Sequence, residues 1–491
     1  MLNYDLIVIG SGPGGYKAAV SAAHLGARVA IIEKGDCGGT CLNQGCIPKK
    51  TLLYQAGLLE DIKALQGHGF VGQVSGDFAA ALHYKDKVVT GLREGIPLWL
   101  RRLGIVLIKG QAQFISAQTI KVLQTGKQQI LTAPRVIIAT GSNPRPLGAC
   151  PVDGKYIIDS RKLLLGQYIL PKRILLVGGG AIGCEFAYLL HQFGARVTLV
   201  EQTERLLNKP EISERASREL QLKLERLGVT VLTNHTVVES SLRGDGVSAK
   251  FLSNASANLK QSNGLFDQIL VAVGRKPNTE ELALSKAGIA VDEQGFIITN
   301  DYLETSVPGI YAVGDVKAGP MTANAALHDA KIAAENAVKN QGEMRNYNRV
   351  PLVIDSALEI AAVGLTETRA EAAGFEPEVA RLSFNASAKA RGRNDTEGFI
   401  EVVHDEETGQ LLGGCIVGAE AGEQIQMLTA ACQSQKGLWF LKEINYSHPS
   451  WCEELENAID PYTTELVRSK KPLFKPGIYA PQNNKDHKRE P

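Results

Sequence analysis

Apolar runs stop at glycine-rich turns twice in this chain. Tyr4-Asp5-Leu6-Ile7-Val8-Ile9-Gly10 has the near-continuous hydrophobic pattern of a buried strand, and it ends in Gly10-Ser11-Gly12-Pro13-Gly14-Gly15. Shifted by 168 residues, the turn recurs as Gly178-Gly179-Gly180-Ala181-Ile182-Gly183, Gly26-Ala27-Arg28-Val29 recurs as Gly194-Ala195-Arg196-Val197, and Glu33 recurs as Glu201. Each copy predicts a strand, a G-x-G-x-x-G turn, a helix and a second strand closed by an acid, which is the dinucleotide-binding βαβ pattern. In such a unit the first glycine (Gly10, Gly178) allows the tight bend. The second (Gly12, Gly180) lets backbone N–H groups approach a pyrophosphate at the helix N-terminus, and the third (Gly15, Gly183) lets helix and strand pack closely. Glu33 and Glu201 each follow the third glycine by 18 residues, near the spacing of about 20 at which an acid meets a ribose hydroxyl. A carboxylate at Glu201 repels a 2'-phosphate, so NAD is expected in preference to NADP. Two nucleotide sites in one chain predict a tightly held cofactor and an exchangeable one.

Composition narrows the partners. With 491 residues, 44% of them hydrophobic, the chain is too long for one core and several domains are expected. Its 53 Lys and Arg against 52 Asp and Glu leave no basic field for nucleic acid. No apolar run approaches the ~18 residues of a membrane helix. The start at Met1 reads directly into a strand, so a cytoplasmic protein is expected. Eight cysteines are too few for a disulfide scaffold.

Two of those cysteines follow the first βαβ unit, in Gly38-Gly39-Thr40-Cys41-Leu42-Asn43-Gln44-Gly45-Cys46-Ile47-Pro48-Lys49-Lys50, with helical periodicity from Leu52 onward. Taken alone the pair could be small buried residues, part of a metal site, or a redox couple; no C-x2-C or H-x3-H spacing supports zinc, and no metal is expected. The segment resembles the active-site stretch of the pyridine nucleotide-disulfide oxidoreductases. That resemblance implies that Cys41 and Cys46 form a redox-active disulfide against the flavin of FAD, with Thr40 beside it. It extends along the chain. Val136-Ile137-Ile138-Ala139-Thr140-Gly141 looks like the strand leaving the flavin domain, and Ala272-Val273-Gly274-Arg275-Lys276-Pro277-Asn278 like its nicotinamide-domain counterpart. Ile310-Tyr311-Ala312-Val313-Gly314-Asp315 is similar to the second flavin motif, whose aspartate meets the ribityl chain. Gly319-Pro320-Met321-Thr322-Ala323 resembles the helix start under the flavin pyrimidine edge.

Near the C-terminus, Tyr446-Ser447-His448-Pro449-Ser450-Trp451-Cys452-Glu453-Glu454 resembles the family's base loop, and Gly418-Ala419-Glu420-Ala421-Gly422-Glu423-Gln424-Ile425 its interface domain. The resemblance implies that His448, oriented by Glu453, is the acid/base and reaches the cysteines of a second subunit, so a homodimer is expected. It also implies a Lys50–Glu185 pair near the flavin. Within the family the pattern is most similar to the branch that oxidises protein-bound dihydrolipoyl groups, so a lipoylated carrier protein is an expected partner. Lys49 departs from that branch, which usually has Ser there; Lys-Lys is the form seen in glutathione and trypanothione reductases. Glu201 and Ala181 point away from those NADP enzymes, which carry basic residues and a gating tyrosine at the two positions. Trp451 could narrow a substrate channel or pack in an interface.

The expected fold is α/β, with two Rossmann-like dinucleotide-binding domains and an α+β C-terminal dimerisation domain. The expected segments are FAD-binding 1–145, NAD-binding 146–276, a second FAD-binding and central part 277–345, dimerisation 346–462 and a polar tail 463–491. Ser240–Gly264, rich in Ser, Asn and Gly, reads as hairpin loops.

Overall fold

The structure, a computed structural model, describes residues 2–165, 168–254, 261–434 and 436–463; all but the first residue of the expected tail lies outside the described residues. The internal repeat becomes two parallel sheets of matching design. In the first, Leu6–Ile9 lies between Val29–Glu33 and Arg135–Ile138, with Val106–Lys109 and Ile310–Ala312 at the edges. In the second, Arg173–Val177 lies between Arg196–Val200 and Gln268–Val271, with Thr230–Leu232 and Ile157–Asp159 outside them.

Strand alternation explains why the apolar runs are continuous. Ile7 and Ile9 pack with Ala30, Ile32, Val136 and Ile138 on one face of the first sheet. Leu6 and Val8 pack with Ala18, Ala22, Val29 and Ile31 on the other. Every residue of Leu6–Ile9 is buried, because both faces of a parallel sheet are covered.

Part of Ser240–Gly264 departs from expectation. His235–Arg243, Gly246–Ser253 and Gln261–Phe266 pair as a three-stranded antiparallel sheet. Val247, Ala249 and Phe251 alternate inward along it, and that period of two outweighs the turn-forming composition.

Two compact units result. One comprises residues 1–66, 70–204 and 228–345 and holds both nucleotide-binding sheets. The other is built on 346 onward and also takes 205–227 out of the expected NAD-binding segment. Its antiparallel sheet runs in the order Leu352–Ile354, Ile360–Gly364, Leu411–Val417, Phe399–Asp405 and Pro377–Ser383. Ile400 and Val402 face a core with Ile425 and Leu428 of the helix Ala421–Gln433. On Phe399–Asp405 the alternate residues Phe399 and Glu401 are covered by Arg215, from the helix Glu214–Leu227. Its guanidinium lies 4.0 Å over the Phe399 ring and 3.5 Å from the Glu401 carboxylate.

Candidate active site

The two glycine turns share one geometry. Gly10 and Gly178 have φ of +99° and +110°, a region that L side chains rarely adopt. A Cβ on Gly15 would stand 1.8 Å from the Gly10 carbonyl oxygen, and one on Gly183 would stand 1.9 Å from that of Gly178. Only glycine allows helix and strand to meet at this distance. The helices Pro13–His24 and Ala181–Gln192 then begin at Gly12 and Gly180 with no side-chain cap, so their first N–H groups face the turn as anion donors.

The two acids that close the second strands, Glu33 and Glu201, are anchored alike. Glu33 accepts hydrogen bonds from Ser11 N (2.8 Å), Ser11 Oγ (2.7 Å) and Gly35 N (2.7 Å). Glu201 accepts from Gly179 N (2.6 Å), Thr203 N (2.8 Å) and Thr203 Oγ1 (2.9 Å). Each carboxylate is thus tied to the second residue of its own glycine turn, which holds its charge beside the phosphate cradle.

The cysteine segment is threaded directly over the first turn. Gly39, at φ +59°, approaches so closely that its Cβ would lie 2.6 Å from Gly12 Cα. Thr40 and Cys41 follow in the short helix Gly39–Gln44, and Cys46 opens the helix Cys46–Ala64 after Gly45. Asn43 pins the loop: its Nδ2 donates to the Cys37 and Gly39 carbonyls at 2.9 Å each, and its Oδ1 accepts from Arg93 Nε at 2.7 Å. Cys41 and Cys46 are thiols here, not joined as a disulfide, and they differ in character. The hydrogen bond from the Cys41 thiol, opposed by burial and aided by Lys49, brings Cys46 down to about 7. Donating that bond, together with burial, pushes the Cys41 thiol well above its ordinary range. Cys46 is therefore the ready thiolate and Cys41 the proton holder.

Lys49 is not among the expected site residues. Its ammonium pairs with Glu185, both side chains nearly buried, so the carboxylate expected to meet Lys50 is engaged by Lys49. Lys49 follows Cys46 by three residues on one helix and shares its face. Lys50 lies exposed at the next position, and its charge also favours both thiolates. Glu185 sits on the helix that starts at the second glycine turn, so this ion pair joins the two nucleotide units. Tyr16, the residue after Gly15, is a second omission: burial, then the proximity of Cys41 and Cys46, raises its phenol.

Asp315, Thr140, Gly141, Met321, Thr322 and Ala323, expected at the flavin, lie in the same unit as Gly274, expected at the nicotinamide. Asp315 accepts from Ser142 Oγ at 2.6 Å, and Arg275 Nε stands 3.5 Å from the same carboxylate oxygen. Thr140 Oγ1 donates to the Asn278 carbonyl at 2.8 Å, and Asn278 Nδ2 returns a bond to the Thr140 carbonyl at 2.9 Å. Gly141 (φ +69°) and Gly274 (φ +110°) turn the chain on either side of this crossing. Met321, at φ +55°, leads into Thr322, whose hydroxyl caps the helix Ala323–Lys339 at Ala325 N.

In the second unit, His448 Nδ1 lies 2.9 Å from Glu453 Oε2. Glu453 Oε1 accepts from Ser450 N at 2.9 Å, while Ser450 Oγ accepts from Glu453 N at 3.2 Å, a reciprocal pair that ties the loop to the first residue of the helix Glu453–Ile459. Burial works to raise the Glu453 carboxyl, but the Ser450 N–H and His448 overcome it and hold it below its usual range. A carboxylate can only accept, so Nδ1 carries the proton and Nε2 is the free base nitrogen. The imidazole is largely exposed. Trp451 is buried against Phe384 of its own chain, ring centroids 5.2 Å apart.

The site fits a flavin and a nicotinamide dinucleotide: two cradles that a Cβ would fill, two anchored acids, and a polarised dithiol against the first cradle. Among the described residues no group of acids, histidines and cysteines is arranged to hold a metal, and no helix is long and apolar enough to cross a membrane.

Comparison with known proteins agrees with this geometry. Residues 4–330 match the pyridine nucleotide-disulphide oxidoreductase family and 350–459 its dimerisation domain. A dihydrolipoyl dehydrogenase of Thermus scotoductus is 39% identical over 464 residues, covering 94% of this chain and 97% of that protein. One of Bacillus subtilis is 35% identical over 457 residues, covering 92% and 97%. Among solved structures, LpdA of Mycobacterium tuberculosis superposes with a TM-score of 0.86 at 25% identity, over 94% of this chain and all of that one. The HOCl-induced flavoprotein disulfide reductase RclA of Escherichia coli gives 0.79 at 30% identity, over 93% and 99%.

Proposed function

Because the chain belongs to the pyridine nucleotide-disulphide oxidoreductases, we propose that it is a dihydrolipoyl dehydrogenase, oxidising protein-bound dihydrolipoyl groups with NAD. The observation that carries this reading is the polarised Cys41–Cys46 pair lying on the first glycine cradle, in a chain whose second cradle presents Glu201. Gly10, Gly12, Gly15, Glu33, Thr40, Asp315 and the start of the helix at Ala323 would hold FAD. Gly178, Gly180, Gly183 and Glu201 would hold NAD. When bound, the flavin supplies the two-electron acceptor that returns the dithiol to the disulfide and passes the pair to NAD.

The protein's own residues then move protons and sulfur bonds. His448 Nε2 takes the proton of a dihydrolipoyl thiol, and the resulting thiolate attacks Cys41 of the Cys41–Cys46 disulfide. The Cys41–Cys46 bond breaks as the mixed disulfide forms, and Cys46 leaves as a thiolate, stabilised against the cost of burial by the charges of Lys49 and Lys50. The second substrate thiol attacks the sulfur joined to Cys41, closes the lipoyl disulfide and releases Cys41, which takes the proton and donates to Cys46. Glu453 keeps Nδ1 protonated so that Nε2 stays the base. The base of one subunit serves the cysteines of its partner in a homodimer, and the enzyme works in the cytoplasm.

Lys49 favours a second reading, a reductase of another disulfide. Side-by-side assays decide: NAD reduction by dihydrolipoamide, and NADH or NADPH oxidation by lipoamide, glutathione disulfide and trypanothione disulfide. Fast turnover of the lipoamide couple with NAD is expected. Turnover confined to NADPH and a peptide disulfide would overturn the assignment.

A further inference from the structure

A buried ion pair lies outside the residues used so far. Lys317 Nζ is 3.0 Å from Asp329 Oδ2, with side chains 2% and 1% exposed. Such a pair contributes little net stability, because desolvating both charges offsets their attraction, and apolar residues of similar volume often serve as well. Its retention in a core of alanines calls for a different account.

The geometry of the turn provides one. Gly314–Val316 is a single 3-10 turn with Asp315 at its centre. Asp329 holds it at both ends, accepting from the Gly314 N–H at 3.2 Å while pairing with the ammonium of Lys317, the residue that closes it. Lys317 N also bonds back to the Gly314 carbonyl at 3.3 Å. Gly314 is at φ +68°, and a Cβ there would lie 3.0 Å from Ala326 Cβ, so the turn is seated directly on the helix Ala323–Lys339. Asp329 belongs to that same helix, two turns past its Thr322 cap. Burial draws the Lys317 ammonium below its usual range, and both Asp329 and Asp315 oppose this, which puts Asp315 within electrostatic reach of the pair.

We propose that Lys317 and Asp329 are positioning residues for the flavin site, locking the Asp315 turn to the N-terminal end of the helix that begins at Ala323, so that both elements meet the flavin at a fixed spacing. The proposal rests on flavin binding and not on which disulfide is the substrate. A charge pair does this better than two leucines because the ammonium and the carboxylate are directional, and one carboxylate bonds both ends of the turn.

The test separates positioning from stability. K317M alone leaves the buried Asp329 carboxylate without the Lys317 ammonium and should lower the melting temperature. K317M/D329L replaces the pair by apolar volume and should recover most of that loss. The same double variant should release flavin from the holoenzyme faster, by about tenfold, since small misplacements of binding groups are costly. Amide hydrogen exchange of Gly314–Lys317 should rise with it. Wild-type flavin release and wild-type protection in a stable double variant would overturn the proposal. Should K317M/D329L fail to fold, D329N keeps the side-chain shape and an acceptor for Gly314 while removing the charge. Faster flavin release and exchange in D329N sustain the proposal, and unchanged values overturn it. Flavin release is read without any substrate, so a failure here is distinguishable from a wrong substrate assignment.

Discussion

The Lys49 ammonium is bonded to the Glu185 carboxylate, one helical turn beyond Cys46. A cation is thereby fixed where it favours the Cys46 thiolate, and the first glycine-turn unit is tied to the helix of the second.

Replacing Lys49 by Met should raise the pH at which Cys46 ionises. The Cys46 thiol sits at about 7, so the thiolate is present above that pH and lost below it. Removing one nearby cation should move the midpoint up by about one unit. The rate of alkylation by iodoacetamide in the reduced enzyme, followed against pH, reports the shift; an unmoved midpoint would refute the electrostatic role of Lys49.

Cys41→Ser and Cys46→Ser should each abolish dihydrolipoamide turnover while the protein stays folded and yellow, because the disulfide is lost but both glycine cradles are intact. In Cys41→Ala the remaining thiol should also ionise at higher pH, since the donor that most favours the Cys46 thiolate has been removed. Activity assays with visible spectra and a pH titration of the remaining thiol check both points.

For His448→Gln the expected loss is about 100- to 10,000-fold in turnover. Glu453→Gln should cost less, since an amide oxygen still accepts from Ser450 N, but it removes the charge that holds the Nδ1 proton. Steady-state rates across pH test this. A drop below about tenfold in His448→Gln would mean another base, because that is smaller than general acid/base help usually supplies.

Glu201→Gln should relax nucleotide choice. The carboxylate is anchored to Gly179 N and Thr203, and juxtaposing it with a 2'-phosphate costs several kcal/mol (order of magnitude). The kcat/KM ratio of NAD to NADP should fall by about tenfold or more in the variant, and an unchanged ratio would place discrimination elsewhere.

Much of this protein was legible in its residue order because the responsible physics is local. A G-x-G-x-x-G turn needs its glycines within six positions, an acid closes the next strand at a fixed distance, and apolar strands covered on both faces read as unbroken runs. Hence the turns at Gly10, Gly12 and Gly15 and at Gly178, Gly180 and Gly183, with the acids Glu33 and Glu201 tied back to them, could be named in advance, and Cys41 and Cys46 could be singled out through their long motif. What only the tertiary structure decided depends on contacts between distant segments. Lys49, a departure from the motif of the dihydrolipoyl-oxidising branch, meets Glu185, 136 positions away. Helix Glu214–Leu227 leaves its own nucleotide segment to cover Phe399 and Glu401. Trp451 turns inward onto Phe384, and Lys317 finds Asp329 with both side chains almost wholly buried. Periodicity tells which face of an element is buried; which partner waits there is set by how the elements come together.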